Sequence, residues 1–566
     1  MPDKRHIKLI CGNPDPDDPE AKYKGCSFSR FVFPFGYKAE KKDVNINNNV
    51  SYEEIKHEEG LSNDLFIQRI KYFTSETGSV IYDNALWVEI PVNQWDKSAW
   101  SKGISFMNCN NVGKKAFCVR MSRPRLVLFD WKERKNSSRN NIGFLILDLW
   151  FPEGQEVILD DLLCLNEYFR CFDYPGFTEH WTKYRQAMEN VPLEYFPEDP
   201  DKFPRVKDVE DGDKHQAYLQ RWTKLLEIPV KVGNETPYRL VPEDFSHEAL
   251  KWIKGPSGYV QEEMKGKRGN SPNNHLIYND FRAYVWCAAV LKEGGMGLQK
   301  FSYTSQHRPF EFGHWVKLLN VDSPNENGPS ETARAISEFE KKWARERTYR
   351  RWEDCGNWYG FNYHAGVAVL KPSVFVTHFM TIYFDMILLL FYLRIRLFGF
   401  SNELSSLCRK IERLEDARKE FKDLRNHFSR FTILYQFPLL SNQQQAIEMY
   451  EIAREHFDVD TFFQEIKSEI DNTHEYLESV EANNLSRMAN LIGRVGIPLM
   501  VASLLAGLLG MNNFHIWENI SKGYFFNIDP EFWTACCIII LLTPLFSWML
   551  IKKYLKAPDK QGDGNG

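Results

Sequence analysis

The sequence predicts an α/β or α+β N-terminal domain, an all-α stalk of long helices and two transmembrane helices at the C-terminus. Three observations support this fold class. Short apolar runs of strand type alternate with helical segments over residues 1–372. An apolar period of about 3.6 residues runs along residues 442–484. Two uncharged apolar stretches near the C-terminus approach the length of about 20 residues that crosses a bilayer.

The composition is that of a mostly water-soluble globular protein. The chain has 566 residues, 26% of them charged, and a formal net charge of −5, which argues against a nucleic-acid binder with a broad basic face. Its eleven cysteines include no CxxC pair, which indicates buried thiols in a reducing cytosol and not a disulfide framework. Residues 1–15 contain no apolar stretch, so we expect no cleavable signal peptide.

Residues 1–372 are predicted to be an enlarged cytosolic domain with a ligand-binding or regulatory role. A helix is expected over about Leu159–Phe172. The domain has no Walker A sequence, HExxH motif, nucleophile elbow or strand-linked GxGxxG motif, so we expect no enzymatic activity. The strand-like runs are Ala85–Ile90, Leu126–Phe129, Gly143–Leu149, Ala283–Leu291 and Gly366–Leu370.

Residues 373–490 are predicted to form the helical stalk. Its first part, Val376–Phe400, is apolar enough to suggest a third membrane span, but it contains Asp385, Arg394 and Arg396. An isolated ionised group at the bilayer centre costs several kcal/mol. We therefore expect a buried or subunit-packed helix.

The second part of the stalk is predicted to be one helix that runs from about Ser441 into the membrane. No proline interrupts this stretch before Pro498. Pro438 marks the hairpin that precedes it, and Glu403–Arg430 is the expected antiparallel partner.

Residues 491–551 are predicted to form a two-helix transmembrane domain. The first span is Val495–Met511 and the second is Phe532–Ile551, with a short outer loop at 513–531. Lysines begin the basic tail 552–566, whereas acidic residues prevail in the loop. The positive-inside rule then places both termini in the cytoplasm, and we expect a multi-pass protein of the inner (plasma) membrane.

Small residues form one stripe along the first span and the residues before it. They recur at steps of three and four, as neighbours on one helix face do. Small residues let membrane helices approach closely, and in a ring of identical helices they would also form a narrow, weakly polar pore wall. The residues alone leave both interpretations open. The stripe consists of Ser486, Ala489, Gly493, Gly496, Met500, Ser503, Gly507 and Gly510.

The first span ends in Ala506-Gly507-Leu508-Leu509-Gly510-Met511-Asn512, which resembles the AGxxGMN ending of the first membrane helix in the CorA family of magnesium transporters. The triplet precedes a short loop, a last span and a lysine-rich tail, and the resemblance covers about residues 373–556. It implies a CorA-like funnel of five identical subunits with the two-helix domain as its pore. The residues that the resemblance assigns to the pore and its selectivity mouth are Gly510, Met511, Asn512, Ser503 and Met500.

The resemblance also implies Mg²⁺ or another divalent cation as the permeant and regulatory ion, with no organic cofactor. Mg²⁺ gives up its water shell reluctantly, so a pore can select it by hydrogen-bonding the hydrated ion. A ring of Asn512 side-chain carbonyls would supply neutral acceptors, and Gly510 would let the backbone turn out of the helix at the mouth. Two departures from the family, Asn513 after the triplet and the long, weakly acidic loop, bear on which ion permeates.

Acidic residues dominate the stalk between Glu448 and Glu481, where eleven of them accompany Arg454 and Lys467. A solvated helix face accounts for such a charge run. The alternative is that stalks of neighbouring subunits place carboxylates opposite one another, where Mg²⁺ would bridge them and hold the pore shut, as the family implies. The candidate metal ligands are Asp458, Asp460, Glu465 and Glu469.

Arginines stand beside stackable aromatic residues in the segment 345–364. Guanidinium groups pair with phosphate and aromatic rings stack on bases, so this composition suits a nucleotide-like ligand. The alternative is an arginine-rich helix packed on a core strand. The candidate ligand-binding residues are Arg347, Arg350, Arg351, Tyr359 and His364, with Arg282 as a weaker one.

A large soluble domain on a CorA-like base, with YGFNYHAG at 359–366 before the stalk, is similar in layout to the CorA-like effectors found beside type III CRISPR systems. This resemblance implies a channel gated by a nucleotide second messenger in antiviral defence. Its partners would be the lipid bilayer, other copies of the chain and the messenger, with no direct nucleic-acid binding. A housekeeping Mg²⁺, Co²⁺ or Zn²⁺ transporter gated by the cation is one alternative, and a membrane-anchored enzyme is another.

Overall fold

The computed structural model divides the chain into two compact units, Met1–Lys467 and Ser468–Gly566. The predicted second span and the basic tail lie outside the described residues. The structure describes residues 7–13, 25–41, 50–55, 71–108, 115–133, 141–170, 191–192, 205, 208, 224–233, 235–242, 282–292, 312–322, 337–372, 374–408, 414–435 and 440–521.

Thirteen strands in the described part of the first unit form one sheet. Most neighbours are antiparallel, while β2–β8 and β10–β13 are parallel. The strands are β1 Phe28–Lys41, β2 Tyr52–Glu54, β3 Leu86–Glu89, β4 Ile104–Asn108, β5 Lys115–Met121, β6 Arg125–Leu128, β7 Asn141–Trp150, β8 Val230–Lys231, β9 Tyr238–Pro242, β10 Tyr284–Val290, β11 Thr348–Tyr349, β12 Trp358–Phe361 and β13 Ala365–Leu370.

Strand β1 closes part of this sheet into a barrel. Its residues pair with β7 from Phe28↔Trp150 to Tyr37↔Asn141, and its far end also pairs with β9. The order β1-β9-β8-β2-β3-β6-β7 then returns to β1 as a closed barrel of seven strands. The first residues of β1 pair in addition with β10, from which β13, β12 and β11 continue outward. Closure removes the exposed edges that these strands would otherwise have.

The helices in the described residues surround this sheet or follow it in the chain. A π-helical stretch, Ser79–Asn84, follows α1 directly, and a second one, Phe379–Tyr383, lies within α7. The helices are α1 Ser75–Gly78, α2 Val92–Trp95, α3 Ala99–Lys102, α4 Leu159–Phe169, α5 Phe312–Asn320, α6 Glu338–Glu346, α7 Val374–Cys408, α8 Leu414–Tyr435, α9 Gln444–His456 and α10 Val459–Ser521.

Helix α7 contains the segment for which a buried helix is expected. Among the residues whose side chains the structure describes, it is the one helix long and apolar enough to cross a membrane, by length and composition alone. Yet 83% of its apolar window is buried inside the protein. Its Tyr392 ring stacks on Phe129 of the barrel with centroids 4.3 Å apart. Such burial is typical of a core helix, the interpretation that its charged residues favour.

Both faces of β7 and of β1 from Phe28 to Tyr37 are buried, which explains why most residues of these stretches are apolar. Side chains alternate between the two faces of a strand. Phe31, Phe33 and Leu145 belong to the hydrophobic core of the barrel. On the other face of β7, Phe144 lies 5.6 Å from Phe391 of α7, measured between ring centroids.

The five strands expected from sequence are confirmed as β3, β6, β7, β10 and β13, each shifted by at most two residues at its ends. The helix expected at Leu159–Phe172 is confirmed as α4, which ends at Phe169. The proposed Pro438 hairpin lies outside the described residues. Of its expected partner helix, Glu403–Arg430, residues 403–408 belong to α7 and residues 414–430 to α8, and the residues between them lie outside the described part of the chain.

The stalk differs from the single helix expected from Ser441. Helix α9 ends at His456, and α10 begins at Val459 after a turn in which Asp458 has a φ of 51°. Asp tolerates this left-handed conformation better than most residues. The turn places Phe457 fully inside the core. We attribute the break between α9 and α10 to the burial of this ring.

Candidate functional site

A buried ion cluster joins the barrel to α7. Arg30 of β1 is 2% exposed, and its Nε and Nη2 donate to the two carboxylate oxygens of Asp148 at 2.6 and 2.9 Å. Arg125 of β6 donates to Asp148 Oδ2 at 2.5 Å. Burial by itself would raise the pKa of Asp148, but the charges of Arg30 and Arg125 outweigh it and hold this pKa below its ordinary value. The carboxylate therefore stays ionised and binds both cations.

Two carbonyl groups in the π-helical stretch of α7 accept hydrogen bonds from side chains of the sheet. Met380 O accepts a hydrogen bond from Arg30 Nη1 at 2.7 Å, and Phe379 O accepts one from Trp286 Nε1 at 2.9 Å. These donors compete for carbonyls of the helical ladder, and we attribute the π-helical turn to them. Asp385, further along α7, accepts a hydrogen bond from Tyr82 at 2.6 Å. The polar contacts fix the position of α7 on the barrel.

The arginines of the predicted ligand-binding segment have separate surroundings. Arg347 follows α6, where its Nη1 donates to Trp343 O at 3.1 Å and its guanidinium lies 4.5 Å from the centre of the Trp343 ring. Arg350 is exposed. Arg351 binds Glu448 of α9, with Nη1 3.0 Å from Oε1. Arg347 and Arg351 therefore have different partners within the chain.

Glu448 joins this segment to helix α9. Its carboxylate accepts hydrogen bonds from Tyr349 Oη at 2.6 Å, from Arg351 and from Gln444 Nε2 at 2.9 Å. The hydrogen bond from Tyr349, together with the charge and hydrogen bond of Arg351, lowers the pKa of Glu448. Arg351 thus has a carboxylate partner within the chain, which a phosphate ligand would have to replace.

The aromatic part of the segment is largely internal. Tyr359 is 0% exposed, and the rings of Phe379 and Tyr383 each lie 5.8 Å from its own. It cannot stack on a ligand at the surface in this arrangement. His364 and Arg282 are half-buried at the ends of neighbouring strands. This geometry favours the alternative interpretation, a helix packed on a core strand.

The predicted metal ligands have no metal-binding arrangement within one chain. Asp460 forms an ion pair with Arg454 across the turn between α9 and α10, with Nη2 2.5 Å from Oδ1. Asp458, Glu465 and Glu469 are exposed. No group of three or more His, Cys, Asp or Glu that could hold a metal occurs in the described ranges. A site formed between neighbouring subunits stays a prediction.

Helix α10 continues through the whole predicted pore segment. Met500 and Ser503 are exposed, and Ser503 Oγ donates to Leu499 O at 2.6 Å. The backbone stays helical to Ser521, so it differs from the turn expected at Gly510 and from the loop expected at 513. Residues 513–521 contain no glycine or proline to end the helix. For Gly510, Met511 and Asn512 the structure describes only the backbone. Their role in selectivity stays a prediction.

A cleft of about 160 Å³ lies between the barrel and the helices α7 and α8. At its base, Asp130 accepts hydrogen bonds from Tyr392 Oη at 2.8 Å and from Tyr435 Oη at 2.7 Å. Lys132 and Arg430 are exposed at the rim. The lining residues are Asp130, Lys132, Asn141, Tyr392, Arg396, His427, Arg430, Phe431, Leu434 and Tyr435.

Comparison with protein-family models, curated proteins and solved structures gives no match.

Sequence reasoning missed the cleft because its lining comes from three separate stretches of the chain. Arg396 is visible in the sequence only as a charge in an apolar helix, and Arg430 as one of many charges on the next helix. Asp130 follows a strand and has a φ of 58°. An Asp at the end of a strand indicates such a left-handed conformation only weakly.

Proposed function

We propose that this chain is a subunit of a CorA-like homopentameric cation channel or transporter in the plasma membrane, with a large cytosolic domain that receives a ligand. The observation that carries the proposal is helix α10, which extends without interruption over 63 residues from the acidic stalk through the AGLLGMN segment. At about 1.5 Å per residue its length is roughly 95 Å. A single helix of this length can connect a cytosolic unit to a membrane pore.

The exposed residues of α10 supply a second argument. Leu485, Met488, Ile492 and Leu499 are between 51% and 68% exposed in the single chain and follow steps of three, four and seven. This spacing is that of the apolar seam of a coiled coil, which a neighbouring helix would cover. The centre of the stripe of small residues lies about 70° from the centre of this seam around the helix axis, at about 100° per residue. Helices in a ring would then place one face against a neighbour and the other towards the central axis.

The permeant ion follows from the chemistry of the triplet. Asn512 would offer neutral carbonyl oxygens to a hydrated divalent cation, and Mg²⁺ is the ion that keeps its waters most firmly. Carboxylate rings would bind such an ion more tightly and slow its release. We therefore propose hydrated Mg²⁺, or a divalent cation of similar hydration, as the ion that passes the mouth.

The large first unit is proposed as the receiver of the gating ligand. A domain of this size exceeds what metal sensing by a few stalk carboxylates requires, and a nucleotide second messenger in type III CRISPR defence is the ligand that the layout favours. Under this proposal the channel stays shut until the messenger is present.

Flux through purified protein in liposomes tests the proposal, with the variants compared in the presence of nucleotide second messengers and the parent also measured without them. Asn512→Ala should abolish Mg²⁺ flux or change its ion selectivity while assembly is retained, because the side chain is proposed to face hydrated cations. Asn513→Ala is the matched control, since the neighbouring position lies about 100° around the helix. Equal flux in the Asn512→Ala protein and the parent would contradict the assignment of the mouth, and flux without any messenger would contradict ligand gating.

A further inference from the structure

The cleft between the barrel and the α7–α8 hairpin carries an excess of positive charge. Three permanent cations line it, Lys132 from the barrel side, Arg396 from α7 and Arg430 from α8. Among the described residues that line it, Asp130 is the one carboxylate. Nearby Glu403 influences Arg396 but does not line the cleft.

The base of the cleft is held in place by packing. Tyr392 is fully buried, stacks on Phe129 and donates to Asp130. Tyr435 lies 5.0 Å from Tyr392 between ring centroids and donates to the other carboxylate oxygen of Asp130. These contacts fix the rotamers of the tyrosines and the carboxylate. The base of the cleft is therefore preformed.

The size and lining of the cleft indicate a class of ligand. A cavity of about 160 Å³ has room for roughly five water molecules. A phosphate group carries about −1.5 to −2 charges at neutral pH, opposite in sign to the three cationic side chains of the lining. Guanidinium groups donate in pairs to phosphate oxygens, and the Asn141 side chain adds a polar group to the wall. Phe431 and Leu434 offer an apolar surface to the uncharged part of a ligand.

We propose that this cleft binds a small ligand through a terminal phosphate group, held by Lys132, Arg396 and Arg430. The site lies wholly within the first unit and shares no residue with the 345–364 segment. It is independent of the channel function, since binding can be measured without ion flux. Two sources share the chemistry, a soluble phosphomonoester and a lipid headgroup with a terminal phosphate.

The experiment is a calorimetric titration of the full chain in detergent. The probes are inorganic phosphate, AMP and water-soluble dihexanoyl phosphatidic acid. Lys132→Gln with Arg430→Gln should weaken binding at least tenfold, and both side chains are exposed, so the fold should be retained. Lys419→Gln with Lys422→Gln removes the same charge from exposed positions of α8 outside the cleft and should leave affinity unchanged.

A third variant changes affinity in the opposite direction. Asp130→Asn removes the negative charge from the base, and Asn also tolerates the left-handed backbone. Phosphate affinity should rise severalfold, which general destabilisation would not produce. Binding of AMP or phosphate assigns a soluble ligand, and binding of phosphatidic acid alone assigns a lipid headgroup. No binding of any probe, or equal affinity in the Lys132/Arg430 variant and its control, overturns the proposal.

Discussion

Charged residues in α7 have hydrogen-bond partners that lie far away in the chain. Asp385, Arg394 and Arg396 made a membrane span unfavourable, because ionised groups in an apolar helix require partners. The partners themselves could not be predicted. Tyr82, which donates to Asp385, is 303 residues away in the chain. Arg394 donates to the carbonyl oxygen of Phe457, beside a turn that no pattern indicated.

The ion cluster at Asp148 yields a prediction at the same scale. Asp148→Asn should lower the free energy of unfolding by about 3–5 kcal/mol, because it leaves Arg30 buried without its carboxylate. Asp148 is 3% exposed, whereas Asp96 is exposed on the surface. Thermal unfolding of the detergent-solubilised chain should therefore show a large decrease in Tm for Asp148→Asn and little change for Asp96→Asn. Equal Tm values for the two variants would show that the cluster contributes nothing to stability.

At the scale of elements, apolar runs in the sequence predicted five strands but did not predict β1, which depends on tertiary pairing. Strands β3, β6, β7, β10 and β13 were predictable because buried strands have continuous apolar sequences. The longest strand, β1, was missed because it contains Pro34, which lacks an amide hydrogen. Pro34 lies between the part of β1 that pairs with β10 and the part that pairs with β9. Only tertiary pairing makes that position suitable for proline.

Two glycines should respond in opposite directions to the same substitution. A Cβ at Gly366 of β13 would lie 2.2 Å from Cζ3 of Trp286, a fully buried ring that stacks on Phe379. Gly366→Ala should therefore destabilise the first unit by about 1–3 kcal/mol through overpacking. At Gly399 of α7, no described atom lies within 4 Å of the position that a Cβ would take, so Gly399→Ala should stabilise the helix by up to about 1 kcal/mol.

Thermal unfolding of the two alanine variants beside the parent chain measures both effects. Gly366→Ala should show the lower Tm and Gly399→Ala an equal or higher one. A Tm for Gly366→Ala equal to that of the parent would mean that Trp286 moves aside without cost, which contradicts the tight stacking described for it.

At the scale of the whole molecule, the closed barrel follows from contacts between distant strands and not from any local pattern. β1 meets β7 more than a hundred residues later and β10 still further along the chain. Periodicity predicts strands and helices but not which strands pair. The cleft between the barrel and the helices α7 and α8 depends on the same pairing. Its charged residues come from distant stretches of the chain, so they form no recognisable sequence motif. The pore motif could be recognised because its residues are contiguous.

The last prediction concerns assembly through the apolar seam of α10. Leu485 and Ile492 are 62% and 68% exposed in one chain, and solvent exposure of aligned apolar residues is unfavourable. Glutamate at both positions would place like charges along each seam, and like charges that face one another between helices oppose association. Leu485→Glu with Ile492→Glu should therefore dissociate the oligomer.

Mass photometry in detergent distinguishes the states. The parent chain should have a protein mass of about 330 kDa, for five copies of a 66.5 kDa subunit in a closed ring. The double variant should appear mainly as a single subunit. Asn483→Glu with Asn490→Glu adds the same kind of charge to the opposite, polar face of α10, where Arg487 and Arg494 also lie, and should leave the oligomer intact. A parent chain that is already monomeric, or an oligomer that tolerates glutamate in the seam, would contradict the assembly proposed here, because the pore requires several copies of α10 around one axis.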